Sequence, residues 1–373
     1  MVIDDAILRH CLGHVRFVTG TSYAGKSTLV ARLAQQYGLA ACGENFHGPL
    51  ADEVVTPGRF PNLGYFQTMS GWPEFLSRSP QAYTAWLDGT SMEAAQFEIP
   101  ILLQMPRDRI IVADTNLPLE TLGRIAGYHQ IAVMLAPPGM AERRFFDRSD
   151  PEKQFMLAQL QQMPDPDAAL ANFRDCIAAI NSPERTAALA HAGFYTYVRP
   201  EGEADTRAAV DAALARHFGL SGPPQPELRT AGLLLRPLRQ EEARQAQALC
   251  PRLPPLSADG WAEGGPDLSV GCALAVTRLK DGRFIGVTAL RDGGEGWPQL
   301  SFALLPEGQG YAREAVMATL RWGADAFRLT GLTARAEAGD LAGQQTLAAC
   351  GFCRAQDGSA SAEGPVLYRY RVG

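Results

Sequence analysis

The chain has 373 residues, enough for two or three domains, and at 46% hydrophobic and 20% charged it has a globular balance that excludes a disordered chain. A net charge of −6 argues against a mainly electrostatic nucleic-acid binder, and the sequence has no apolar run of the about 18 residues that a membrane span needs. Seven scattered cysteines and a start, Met1-Val2-Ile3-Asp4-Asp5, without a basic and apolar leader lead to the expectation of a reducing cytoplasm. Val15 to Thr19 reads as a short apolar strand, followed by a glycine-bounded turn and a helix from Ser27 to about Tyr37. Leu39 to Gly43 is strand-like, and Arg109 to Ala113 and Ile131 to Leu135 read as buried strands. This alternation of strand and helix predicts a parallel sheet covered on both faces. Thr206 to Phe218 reads as a helix with Ala209, Val210, Ala213, Leu214 and Phe218 on one face.

Ser221-Gly222-Pro223-Pro224-Gln225-Pro226 then breaks the pattern, since three prolines in four residues cannot continue a helix. The expected domains are therefore 1–221 and 229–373, joined by a stiff linker at 222–228. Residues 227–373 hold 16 acidic and 16 basic side chains, so the whole net charge lies before them. Beyond the linker, Gly232 to Leu238 reads as a strand and Arg239-Gln240-Glu241-Glu242-Ala243 as the opening of an amphipathic helix. Cys272 to Leu279 and Arg283 to Leu290 read as strands joined at Lys280-Asp281-Gly282, a hairpin signal. A strand at Leu300–Leu305, a helix from about Arg313 to Leu329, a strand at Leu332–Ala338 and a helix near Leu341–Cys350 complete the reading. Cys350 and Cys353 form a lone CxxC with no second pair or nearby histidine, and are expected to be ordinary buried thiols.

Gly20-Thr21-Ser22-Tyr23-Ala24-Gly25-Lys26-Ser27 fits the phosphate-binding pattern GxxxxGK[ST], with a strand before it and a helix after it. The glycines let backbone N–H groups curl toward a phosphate at the positive end of a helix. Lys26 would reach the β- and γ-phosphates and Ser27 would bind Mg²⁺, with Gly20, Ser22, Gly25 and Thr28 completing the nucleotide cradle. Lys26 is one of only three lysines among 34 basic residues, and it falls where a compact charge serves better than a planar guanidinium.

On these residues the N-terminal part resembles the P-loop kinases of small molecules and nucleotides. Its Ser-x-Ala-Gly-Lys-Ser core is similar to that of chloramphenicol phosphotransferase-type enzymes. The resemblance implies ATP, Mg²⁺ and a hydroxyl acceptor, and it directs attention to three places. Glu44, after the second strand with Asn45 and His47 close by, would accept the acceptor's proton or hold Mg²⁺ through water, with His47 a second candidate as ligand or base. Asp114, ending the strand Ile110-Ile111-Val112-Ala113, would orient Mg²⁺ or the acceptor. Arg143, Arg144, Arg148 and Lys153, in the basic run after the strand at Ile131–Leu135, would form a lid over the transferring phosphoryl group. Between Glu44 and Asp114, Phe60, Tyr65, Phe66, Trp72, Phe75, Tyr83, Trp86 and Phe97 either face a ring-bearing acceptor or pack the insertion's own core.

Gln309-Gly310-Tyr311-Ala312-Arg313-Glu314-Ala315 and Leu347-Ala348-Ala349-Cys350-Gly351-Phe352 carry a second resemblance, to the GNAT N-acetyltransferases and especially to the branch of the ribosomal-protein enzymes. It implies acetyl-CoA, its pyrophosphate held by backbone N–H groups around Gly308, Gly310, Tyr311 and Ala312. Glu307 stands where that family has Gln or Arg, Asp340 and Gly343 stand where it often has Asn and Ser, and no clear match exists for its usual Tyr acid. The expected fold is thus α/β, a P-loop NTPase parallel-sheet domain followed by an α+β GNAT domain. The expected function is that of a bifunctional enzyme acting on small molecules with hydroxyl and amine groups, in antibiotic modification or specialised metabolism. No nucleic-acid or membrane partner is expected, and a homodimer is an open option. Two alternatives stand: one activity with a sensing partner domain, or a nucleotide switch, against which the missing Asn-Lys-x-Asp motif argues.

Overall fold

The computed structural model describes residues 3–146, 151–201, 205–224, 226–250, 253, 268, 271–293, 297–355 and 365–372. Contacts divide it into two units. One comprises Met1–Leu189 and Tyr197–Ser221, the other Ala190–Thr196 and Gly222–Gly373. The change of unit after Ser221 coincides with the proline-rich run. The short Ala190–Thr196 segment groups with the second unit, as does the chain from Gly222 on.

The N-terminal sheet contains β1 (Val15–Gly20), β2 (Ala40–Cys42), β3 (Ile111–Asp114), β4 (Ile131–Leu135) and β5 (Tyr195–Val198), in the order β2-β3-β1-β4-β5. The registers of β1 with β3, β1 with β4 and β2 with β3 are all parallel. Every residue of β3 and β4 is buried, as expected for strands covered on both faces. β1 and β3 end side by side, Val18 opposite Asp114, so the segments leaving the two strands gather at one edge, where ligands of such sheets bind.

The Lys26–Tyr37 helix presents Leu29, Val30 and Leu33 to the core. Its Arg32 makes a two-pronged pair with Asp211, at 2.8 and 2.6 Å, on the Arg207–His217 helix. On that helix the expected face is corrected in part. Val210, Leu214 and Phe218 are buried, but Asp211, Ala215 and His217 join them while Ala209 is exposed. The aromatic segment supplies a 25-residue helix, Pro80–Gln104. Phe75 packs against Tyr65, Phe66, Trp72, Tyr83 and Trp86, with ring centroids 5.0 to 6.1 Å apart, and the Arg78 guanidinium lies 3.9 Å from the Tyr65 ring centre. Most of these rings therefore serve one another, although Phe66 is exposed.

The second unit has β6 (Leu228–Arg229), β7 (Leu233–Pro237), β8 (Cys272–Arg278), β9 (Phe284–Arg291), β10 (Gln299–Leu304), β11 (Gly331–Ala336), β12 (Cys353–Arg354) and β13 (Val366–Arg371). They lie in the order β12-β13-β11-β10-β9-β8-β7-β6. The β8–β9 hairpin turns at Gly282 in the left-handed region, φ +68°, as the Lys280-Asp281-Gly282 signal predicts. The Ala312–Ala326 helix covers the sheet with Ala315, Val316, Ala318, Leu320 and Trp322, and the Thr319 and Thr288 hydroxyls meet at 2.8 Å. Cys350 is buried, and burial pushes its thiol up to about 12. Cys353 is exposed, which corrects the expectation that both are buried. Among the described residues no helix is long and apolar enough to cross a membrane.

Candidate functional site

The turn after β1 is fixed by contacts that only its own sequence allows. Gly20 has φ +131°, and a Cβ there would stand 1.8 Å from the Met134 carbonyl oxygen. The Thr21 N–H donates to that same oxygen at 3.0 Å, and the Thr21 hydroxyl accepts from the Ala136 N–H at 2.7 Å. Gly25 enters the helix at φ +91°, with nothing within 4 Å of where a Cβ would be, so the backbone there faces open space. Gly20→Ala is expected to lower stability by about 3 kcal/mol, from the left-handed backbone and the collision with β4. Chemical denaturation measures it, and an unchanged midpoint would refute the packing.

Lys26 Nζ donates to the Thr21 carbonyl at 3.2 Å. The Ser27 hydroxyl donates to Asp114 Oδ2 at 2.7 Å and lies 3.5 Å from Glu44 Oε2. Burial pushes the Asp114 carboxyl above its usual range; Lys26 and Ser27 pull it back, while Glu44 and Glu98 add to the rise. Ser27, Glu44 and Asp114, far apart in sequence, thus meet. Among the described residues no three His, Cys, Asp or Glu side chains form a metal site.

Ser22 and Thr28 lie on the turn and on the first turn of the helix. Of the expected lid, Arg143 and Arg144 are exposed on the short Met140–Arg144 helix. Arg143 reaches the Pro138 carbonyl at 3.4 Å and Glu201 at 3.8 Å. Arg148 lies outside the described residues. Lys153 comes nearer: its ammonium is 5.2 Å from the Tyr23 ring centre and 5.4 Å from that of Phe145. Tyr23 itself has φ 64°. Its carbonyl accepts from Arg199 at 2.9 Å and its hydroxyl donates to the Phe145 carbonyl at 2.9 Å. Arg199 carries no sequence signal, since it comes after an unread strand. Glu98 escapes the sequence too. It is buried, with Thr115 and Asn116 donating to its carboxylate and His47 beside it.

In the second unit β10 and β11 pair in parallel only at Gln299↔Thr333 and Leu300↔Ala334. Beyond these, β10 continues to Leu304 against β9 and β11 to Ala336 against β13, so the two strands part. The short 3₁₀ helix Pro306–Tyr311 then leads into the Ala312–Ala326 helix. Gly308 is packed against β9, where a Cβ would meet the Ile285 carbonyl at 2.9 Å, whereas Gly310 faces open space. The Tyr311 ring covers Gly232, where a Cβ would come within 2.7 Å of it, and Ala312 is buried. The departure at Glu307 has a partner: its carboxylate pairs with Arg283 at 2.8 Å. Asp340 caps the Leu341–Ala349 helix by accepting from the Gly343 N–H at 2.9 Å.

Residues 224–353 match the family model of the acetyltransferase (GNAT) domain. This stretch is a GNAT acetyltransferase domain. Solved structures similar to this chain include an acetyltransferase from Agrobacterium tumefaciens (22% identity, 39% of this chain and 94% of that one, TM-score 0.31). Others are a GNAT-family acetyltransferase from Bacillus anthracis (14%, 39% and 98%, 0.29) and a dodecameric spermidine N-acetyltransferase from Vibrio cholerae (15%, 38% and 94%, 0.29). No curated protein matches the chain. The matched stretch begins within the proline-rich run and ends at Cys353, ahead of β13, which pairs with β11 in the same sheet.

Proposed function

We propose that the chain joins two transferases: a phosphotransferase at the Gly20–Ser27 turn and, in the GNAT domain, an acetyltransferase acting on an amine of a small molecule. The phosphotransferase reading rests on one observation, the Ser27 hydroxyl held 2.7 Å from the buried Asp114 carboxylate beside a glycine-lined helix start. Hydroxyl, carboxylate and Lys26 are the groups a magnesium–nucleoside triphosphate needs. Ser27 and Asp114 would hold Mg²⁺, which neutralises phosphate charge when bound. Lys26 would exchange its contact with the Thr21 carbonyl for phosphate oxygens.

In the GNAT domain the parted edges of β10 and β11 leave backbone groups for an extended, amide-bearing ligand, which the pantetheine arm of acetyl-CoA is. The open backbone at Gly310, next to a 15-residue helix, suits the pyrophosphate. Glu307 is engaged with Arg283 and takes no part.

Mass spectrometry on a pooled panel of nucleosides, aminoglycosides, phenicols, amino sugars and polyamines tests both halves, with Mg-ATP, acetyl-CoA or both supplied. A phosphate adduct and an acetyl adduct are the expected results. If ATP yields no adduct and is not consumed, the phosphotransferase reading fails.

A further inference from the structure

Two carboxylates are buried on the Pro80–Gln104 helix, five residues apart, and their surroundings differ. Glu93 accepts from the Asn62 N–H and side-chain amide and from the Leu63 N–H, at 2.7 to 3.2 Å. It is saturated, and its role is to tie the helix to the loop. Glu98, with no exposed surface, accepts from the Thr115 hydroxyl and, at 3.3 Å, from the Asn116 N–H. Both donors are neutral. Among the described residues its ion-pair contact is His47, whose Nδ1 stands 3.4 Å from Oε1. His47 is 6% exposed, and its Nδ1 completes no hydrogen bond. A buried imidazole and a buried carboxylate left in loose contact are costly unless a further event tightens them. Catalytic hydrogen bonds are often long before substrate arrives.

The pair stands at the candidate site. Thr115 and Asn116 come directly after Asp114, and His47 lies five residues beyond β2. Asn45 accepts from the Asn116 amide at 3.1 Å, joining the segments after β2 and β3. Glu44 Oε2 lies 3.5 Å from the Ser27 hydroxyl. We propose that His47 is the general base for the acceptor hydroxyl and that Glu98 is its positioning residue, holding the tautomer with Nδ1–H toward the carboxylate. This rests on the phosphotransferase reading. The acceptor's O–H proton passes to His47 Nε2. The oxygen's electron pair forms a bond to the γ-phosphorus, whose bond to the bridging oxygen breaks, and that electron pair leaves on the nucleoside diphosphate. The imidazolium so formed faces Glu98, which offsets its charge.

The test is ATP turnover by the full chain with the pooled hydroxyl-bearing panel. His47→Gln is expected to lower kcat about 100-fold with KM for ATP within about twofold. Glu98→Gln is expected to lower kcat about tenfold, and to add less than about twofold in the His47→Gln background, because groups acting as a unit are not additive. Added imidazole should restore about tenfold to His47→Ala, which a merely structural histidine would not show. If His47→Gln keeps the parental kcat while Lys26→Ala is inactive, the base assignment is overturned and the phosphotransferase reading stands. Turnover in the parent chain that does not depend on Lys26 overturns both. Should His47→Gln fail to fold, Glu98→Gln decides: an unchanged kcat refutes the pair.

Discussion

Lys26→Ala is expected to abolish phosphoryl transfer, by about 1,000-fold or more in kcat, while the GNAT domain keeps its fold and its acetyl-CoA binding. A single ammonium aimed at developing phosphate charge is worth several kcal/mol in the transition state and little to folding. Its resting contact, with the Thr21 carbonyl at 3.2 Å, is one hydrogen bond at a partly exposed position, so its loss changes stability by about 1 kcal/mol at most. Lys26→Arg is expected to fail almost as badly, because a planar fork cannot enter a turn shaped for a point charge. The panel assay and a thermal melt check this together. Parental turnover in Lys26→Ala would remove the turn from the chemistry.

Gly310→Trp is expected to weaken acetyl-CoA binding about 100-fold, and to leave nucleotide binding at the other unit unchanged. The position offers room for the substitution, since nothing lies within 4 Å of a Cβ there. The indole then occupies the space before the Ala312–Ala326 helix that a pyrophosphate would use. Calorimetry with acetyl-CoA reads the loss, and unchanged affinity would move the cofactor elsewhere. Gly308→Ala is the contrasting change, because a Cβ there meets the Ile285 backbone at 2.9 Å and disturbs the turn itself.

The sequence was most readable where local pattern decides structure. β1, β4 and the β8–β9 hairpin arise from short apolar runs and one turn signal. The Gly20–Ser27 turn was legible as a turn because its glycines stand between an apolar strand and a helix, and the structure places it there. The Pro80–Gln104 helix was not read, since it contains Gly89 and Pro100 and carries apolar residues all round, which blurs the helical period. β13 went unread although Val366, Tyr368 and Tyr370 alternate with Leu367, Arg369 and Arg371, a signal available in the sequence. Glu98 could not have been found, because its mark is the company it keeps after folding: Thr115, Asn116 and His47, brought from two strand ends. The lid was expected from a run of basic residues, and a run alone does not say which partners each side chain takes: Arg143 meets Pro138 and Glu201.

The turn after β1 is stitched to its surroundings at several points: Gly20 against Met134, Thr21 against Met134 and Ala136, and the Tyr23 carbonyl under Arg199. Its conformational entropy is therefore surrendered once, when the sheet forms, and not again at each encounter with a ligand. On the proposed phosphotransferase reading, a backbone cradle assembled in advance would have no rearrangement to wait for, and capture of a phosphate there would be governed by diffusion and charge rather than by the tempo of a moving loop.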